Sequence, residues 1–163
     1  MGRLPEAIAE WEWAVRLKPD FAQAHSDLGL AFEQTGKTPE AIGQLEQALR
    51  IKSDYPAAQN NLAWLLATVP RADGGDPVRA VTLAQRACEL GSNRDPACLD
   101  TLGVAYASAG RFDDAIATAQ KALGLARSAN QAELVQGIAT RLEMYRRGHA
   151  YRESTNAPTS GNP

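Results

Sequence analysis

The sequence predicts an all-α protein in which about eight helices form a stack of antiparallel hairpins. Ten of the residues between positions 36 and 54 are identical to the residues 34 positions earlier, which marks an internal repeat. Leu28, Gly29 and Gly36 return 74 positions later, a distance of two periods plus six inserted residues. Small and apolar side chains also recur at helical spacing within each copy. A fixed period of this length is typical of stacked hairpins, because one hairpin cannot bury its apolar face alone.

The first predicted helix covers residues 5–17 and forms the second half of a repeat over residues 2–21. Pro5 suits the first turn of a helix, and the Lys18-Pro19 pair ends it. Trp11 and Trp13 place two large apolar side chains on this helix. We expect a second copy of the chain to cover them, giving a homo-oligomer through the N-terminal helix, or the chain to be a fragment of a longer array.

The next two copies cover residues 22–55 and 56–95. In the first of them, helices over 22–34 and 38–51 are joined around Gly36, with Thr38 as the predicted cap of the second helix. In the other, helices over 56–68 and 77–90 are separated by a long turn, residues 69–76, that ends at Asp76 as a helix cap. This turn either accommodates an insertion or contacts a partner.

The last copy covers residues 96–129 and returns to the regular spacing. A final helix over 130–148 carries Leu134, Ile138, Leu142 and Tyr145 on one face, as expected of a cap that closes the apolar end of a stack. Residues 149–163 are rich in Ser, Thr, Asn, Gly and Pro, and they are predicted to be a mobile tail.

The 34-residue pattern resembles that of the tetratricopeptide repeat. In the copy over 22–55, the positions that define this family are occupied by bulky and small residues in the expected order, namely His25, Leu28, Gly29, Phe32, Ala41, Leu45 and Ala48, with Ser53 where a proline is usual. The resemblance implies a right-handed superhelix in which the first helix of each hairpin lines a concave groove. It also implies a noncatalytic scaffold for protein-protein interaction.

By the same resemblance, the groove presents Gln23, Asp27, Leu30, Glu33, Asn60, Asn61, Trp64, Asp100, Thr101 and Val104. Asn61 falls where some members use an amide to hold the backbone of an extended peptide, and an amide can donate and accept hydrogen bonds. These positions hold no Lys or Arg, so we expect a neutral or basic peptide rather than an acidic tail. Trp64 is either an apolar anchor for that peptide or a packing residue, whose indole N–H donates to Asp100.

A narrower resemblance covers residues 60–153. Their sequence is similar to the C-terminal segment of large bacterial tetratricopeptide proteins, some of which carry glycosyltransferase-like regions in the membrane upstream. The resemblance implies bacterial origin. It leaves two alternatives to the peptide-binding scaffold: an accessory segment of such an enzyme, or a self-association module.

Composition argues against several other classes of function. The formal net charge of -2 gives no basic face for nucleic acid, and no apolar run reaches the roughly 18 residues that cross a bilayer. We expect no cofactor, no metal site and no catalysis, since His25 and His149 lack a ligand or nucleophile pattern. A cytoplasmic location is expected, or a periplasmic one for a fragment of a membrane protein.

Cys88 and Cys98 are the only cysteines in the sequence. They are too few for a disulfide scaffold and lack the partners of a metal site. We expect both at a seam between helices, because cysteine is often buried as a small apolar residue. A disulfide between them stays open as an alternative in an oxidising compartment.

Overall fold

A computed structural model of the chain describes residues 3–152. This part of the chain contains eight α-helices, which are consecutive hairpins of an all-α stack, as predicted. Residues 153–163, most of the tail predicted to be mobile, lie outside the described residues. The helices are α1 (Leu4–Leu17), α2 (Ala22–Gln34), α3 (Thr38–Ile51), α4 (Pro56–Thr68), α5 (Pro77–Leu90), α6 (Pro96–Ser108), α7 (Phe112–Ser128) and α8 (Ala132–Arg146).

Proline and aspartate mark most of the helix starts. Five helices have proline in the first turn, where its missing N–H is not needed by the helix. Asp76 caps α5 by accepting a hydrogen bond from the backbone N–H of Arg79, as predicted. The prediction for Thr38 is wrong: Lys37 is the N-cap residue of α3, and no side chain caps this helix. Pro39 in the first turn already removes one of the N–H groups that a cap would satisfy.

The helices form two rows. Each hairpin pairs a helix of an inner row (α2, α4, α6) with one of an outer row (α3, α5, α7), and α8 packs on α7 and extends the inner row beside α6. Inner-row helices also contact one another, whereas no pair among α1, α3, α5 and α7 in the described residues shares an extensive contact. The stack therefore curves, with the inner row on its concave face.

The core is a continuous strip between the rows rather than a central sphere. Alanines at the crossing points are fully buried and let the helices approach closely, while leucines fill the space between them. This strip runs from α2 to α8. Its most buried members include Leu28, Ala41, Leu45, Ala48, Leu62, Ala63, Leu65, Ala80, Ala84, Ala115, Ala119, Ala122, Ile138 and Tyr145.

The long turn between α4 and α5 is ordered by backbone hydrogen bonds. It contains a 3-10 turn, Arg71–Asp73, and Gly74 follows it with φ at +99°. The backbone N–H of Gly75 donates to Pro70 O at 3.0 Å, and that of Asp76 donates to Leu66 O at 2.9 Å. The inserted residues thus fold back against the end of α4 and deliver Asp76 to its capping position.

Gly29 and Gly103 occupy equivalent positions in two copies but differ in the space around them. A Cβ at Gly29 would lie 2.8 Å from Leu45 Cγ, whereas the nearest atom to a Cβ at Gly103 is Ala115 O at 3.6 Å. Replacing a helical glycine with alanine favours folding by about 0.5–1 kcal/mol, and overpacking costs about 1–3 kcal/mol. We therefore expect Gly103→Ala to raise the free energy of unfolding by about 0.5–1 kcal/mol and Gly29→Ala to lower it by about 1–2 kcal/mol. Urea unfolding measures both, and equal shifts in the two variants would contradict this difference in packing.

Candidate functional site

The open part of the concave face begins on α2. Gln23 is exposed there, where it donates to the Asp27 carboxylate at 3.1 Å and accepts a hydrogen bond from the Tyr55 hydroxyl at 2.7 Å. Leu30 and Glu33 follow along the same helix and are half-buried. These predicted site residues therefore lie on one accessible surface with acidic character.

Helix α4 supplies the centre of the concave face. Asn60 and Asn61 are half-buried at its start and line a pocket of about 370 Å³ that Asp95 and Cys98 also border. Within residues 3–152, the buried Oδ1 atom of Asn60 has no hydrogen-bond partner. The side-chain amide of Asn61 also forms no hydrogen bond with the described residues, so its oxygen and nitrogen are available to a ligand.

Helix α6 contributes residues that are covered instead of open. Asp100 and Thr101 are each only 4% exposed, and Val104 is fully buried. The hydroxyl of Thr101 donates to Ala97 O of its own helix at 3.2 Å. These three predicted site residues lie on the inner row, but α8 packs beside α6. Their contact with a peptide stays a prediction that would require access past this covering.

Arg141 on α8 is the partner of Asp100. Its guanidinium makes two hydrogen bonds to the Asp100 carboxylate, one of them from Nε to Oδ1 at 3.0 Å, and both side chains are largely buried. Burial raises the pKa of Asp100 above its usual value, and the bond to Arg141 offsets only part of that rise. The Asp100 carboxylate thus receives two guanidinium donors from α8.

Arg141 was not among the site residues predicted from the sequence. A signal was present: Arg141 lies three residues after Ile138 and four before Tyr145, on the packed face of α8. An arginine within an apolar stripe needs a buried acid, and Asp100 is that acid.

Tyr145 lies in the same region. Its ring is buried, and its hydroxyl has no hydrogen-bond partner among the described residues. Burial raises the pKa of the phenol, so the neutral form is strongly favoured at neutral pH. It serves as core under the concave face.

The chain leaves α8 and turns onto the concave face. Gly148 has φ at +72°, and Ala150 and Tyr151 then pack against the core as half-buried side chains. The Tyr151 ring lies 5.7 Å from the Trp64 ring, measured between centroids. Arg152 donates from Nη1 to Val69 O in the long turn, at 3.2 Å. We call residues 150–152 the C-terminal segment; it covers part of the surface on which the sequence had placed Trp64.

The two cysteines lie at the seam between α5 and α6. Both are buried and are free thiols, with their Sγ atoms 2.7 Å apart. The hydrogen bond between them lowers the pKa of Cys88 and raises that of Cys98. Their predicted place at a helix seam is confirmed.

Trp11 and Trp13 lie on different sides of α1. Trp11 is half-buried and packs against the core, whereas Trp13 is 60% exposed and Leu17 near it is 63% exposed. Self-association through this helix stays a prediction, and Trp13 is the side chain that would carry it.

Metal-binding clusters and membrane-crossing helices are both absent from the described part of the chain. Residues 3–152 contain no group of three or more His, Cys, Asp or Glu side chains that could hold a metal ion. None of the described helices has the length and apolar character to cross a membrane.

Two family models match the sequence, and both describe the tetratricopeptide repeat. One matches residues 1–56 and the other residues 97–133. The chain is therefore a helical repeat protein that contains tetratricopeptide repeats. Such repeats are typically noncatalytic and generally mediate protein-protein interaction.

Solved structures share the fold. The crystal structure of MamA matches with a TM-score of 0.65 at 17% identity, over 90% of this chain and 89% of that chain. TTC0263, a thermophilic TPR protein in Thermus thermophilus, matches with a TM-score of 0.65 at 21% identity, over 85% of this chain and 73% of that chain. No curated protein matches the sequence. At these identities, the likeness shows the architecture alone.

Proposed function

We propose that the concave face formed by α2 and α4 binds an extended segment of a protein partner. The observation that carries the proposal is the half-buried amide of Asn61 on the central inner helix, which has no partner within residues 3–152. An amide accepts a backbone N–H and donates to a backbone carbonyl, so it can hold a peptide of many sequences. Asn61 also lines the pocket bordered by Asp95 and Cys98, so a bound segment would have neighbours on α6 as well as on α4.

The charges on this face favour a neutral or basic segment. Asp27 and Glu33 lie on α2, and the charge of Asp100 is already compensated by Arg141. An acidic peptide would lose hydration and meet repulsion from α2, whereas lysine or arginine side chains would be attracted. Part of this attraction acts near water and is weakened by salt.

Replacing Asn61 with alanine is expected to weaken binding of lysine-containing extended peptides by roughly 5- to 100-fold, the range for one buried hydrogen-bonding group. The probe is a set of short unstructured peptides of equal length that differ only in carrying lysine, serine or glutamate. Fluorescence anisotropy of labelled peptides gives the affinities, and lysine peptides should bind most tightly.

Gln120→Ala on α7 is the matched control, because Gln120 is an exposed amide on the outer row. It should leave peptide affinity unchanged, and urea unfolding should show that both variants keep their stability. Equal binding of the lysine and glutamate peptides, or equal affinities of the Asn61 and Gln120 variants, would contradict the proposal.

A further inference from the structure

Side chains from three inner-row helices and from the C-terminal segment meet around Trp64. We infer that residues 150–152 are an intramolecular ligand of the concave face, and that the surface at Trp64 takes a partner segment with an aromatic residue followed by arginine. For the existence of a partner, this inference rests on the proposed function. It goes further in two ways. It states which side chains the partner segment carries where it binds at Trp64, and it names residues 150–152 as the part of this chain that competes with that segment.

The aromatic position is formed by Trp64 and Arg141. The two rings, Trp64 and Tyr151, are tilted by 46° at a centroid distance of 5.7 Å. The guanidinium carbon of Arg141 lies 5.6 Å from the Trp64 centroid and 5.4 Å from the Tyr151 centroid, so one cation contacts both rings. Asp100 fixes that cation through its two hydrogen bonds. The position is thus built by α4, α6 and α8, and a ring of any origin can fill it.

The arginine position is formed by the long turn. Val69 O, at the start of this turn and directly after α4, accepts a hydrogen bond from Arg152 at 3.2 Å. A backbone carbonyl accepts from a guanidinium without regard to the sequence around that arginine. Tyr151 and Arg152 are consecutive, so one aromatic-arginine pair spans the distance from the Trp64 ring to the turn.

The C-terminal segment is attached in a way that permits release. The backbone N–H of His149 donates to Met144 O at 2.9 Å, so the end of α8 is satisfied before the segment begins. Beyond that bond, the segment is held by the contacts of the Tyr151 ring with Trp64 and Arg141, by the hydrogen bond of Arg152 and by partial burial. Release of Tyr151 and Arg152 therefore breaks no helical hydrogen bond.

The tether makes the segment an effective competitor. A short flexible connection gives an effective concentration on the order of 1 mM, so even a weak contact keeps the surface occupied. A partner without an aromatic-arginine pair would bind only the open surface on α2 and the start of α4. A partner with such a pair would displace the segment and gain the Trp64 surface.

The test uses the full chain carrying Tyr151→Ala and Arg152→Ala. Trp11 and Trp13 are replaced with phenylalanine in all samples, so that Trp64 is the one tryptophan of the three that remains. Acrylamide should quench Trp64 more strongly in the variant than in the parent chain. A peptide of residues 148–163 added to the variant should reverse this quenching, and it should bind the variant at least about tenfold more tightly than the parent, the scale of one aromatic contact.

Two controls isolate the contact. A peptide with the same two alanines should not bind the variant, and the chain carrying Arg147→Ala and His149→Ala, both exposed positions, should behave as the parent. Equal quenching in parent and variant, or equal affinity of the peptide for both, overturns the inference. Absence of peptide binding to the variant also overturns it, since the segment would then be a fixed part of the fold.

The outcome is distinguishable from that of the proposed function. Lysine peptides that bind through Asn61, together with a tail peptide that never binds, would defeat the inference and leave the proposed function standing. A tail peptide that binds at Trp64, with no binding of the lysine peptides, would support the inference at this surface and defeat the proposal for α2 and α4.

Discussion

Replacing Arg141 with methionine is expected to lower the free energy of unfolding by about 3–5 kcal/mol, the cost of leaving a buried charge unpaired. Asp100 is 4% exposed, so water cannot replace the lost guanidinium without opening the packing of α8 on α6. The double variant Asp100→Ala/Arg141→Met should recover most of this loss, because it removes both charges together. Urea unfolding of the single and double variants measures the coupling between the two side chains.

The loss in the Arg141→Met variant should depend on pH. Burial already raises the pKa of Asp100, and removal of Arg141 takes away the interaction that opposes this rise. A carboxyl group whose pKa is higher in the folded chain contributes stability below its unfolded pKa, and this contribution is lost as pH rises through the folded value. The deficit should therefore shrink as the pH is lowered from neutral towards the unfolded pKa of about 4.

Arg146→Met on the same helix is the control for this experiment. Arg146 pairs with Glu143 at the surface, where both side chains are about half exposed, and such pairs contribute about 0–1 kcal/mol. A pH-independent loss in the Arg141 variant, or a loss no larger than that of the Arg146 variant, would show that the buried pair does not hold α8 in place.

Replacing Gly75 with alanine is expected to lower the free energy of unfolding by about 3 kcal/mol, at the upper end of overpacking costs. A Cβ at this residue would lie 2.3 Å from Val69 O and 3.0 Å from Pro70 O, both backbone atoms of the same turn. Backbone cannot move aside as a flexible side chain does, so the turn itself has to open. Opening would break the hydrogen bonds that Gly75 and Asp76 donate, and it would withdraw the cap from α5.

Asp73→Ala tests whether this loss is specific to Gly75. Asp73 is exposed on the same turn, and its side chain has no hydrogen bond to the described residues, so the change should stay within about 0.5 kcal/mol. Thermal and urea unfolding compare the two variants. Equal stabilities would mean that the turn adapts to a side chain at Gly75 at little cost.

The architecture was predictable because the repeat and the helix-ending residues are local signals. The 34-residue period, the prolines in first turns and the glycine at each hairpin turn give helix bounds close to those of the structure. Thr38 shows the limit of this reasoning, since a residue type that favours a cap does not make one when the helix begins a residue earlier. The residue types along the chain therefore predict which segments are helices, but they leave each helix end uncertain by one or two residues.

The candidate site was predictable on α2 and α4 and less so on α6. Periodicity identifies which residues of an inner-row helix lie on the concave face, but it cannot show that a later helix covers them. Asp100 and Val104 are buried because α8 packs beside α6, a contact between residues some 40 positions apart, as the Asp100–Arg141 pair shows. Tyr151 was missed for a related reason: a segment of small polar residues signals little burial, and one aromatic ring can still anchor it.

The bond between Arg152 and Val69 joins residues 83 positions apart. In a linear repeat array, each unit contacts its neighbours, so unfolding can advance from an end one unit at a time. A link from Arg152 to the α4–α5 turn encloses α5, α6, α7 and α8 within one large ring of contacts. Those four helices are thereby linked as long as Arg152 stays on the turn, and release of the C-terminal segment removes this link while their packing contacts remain.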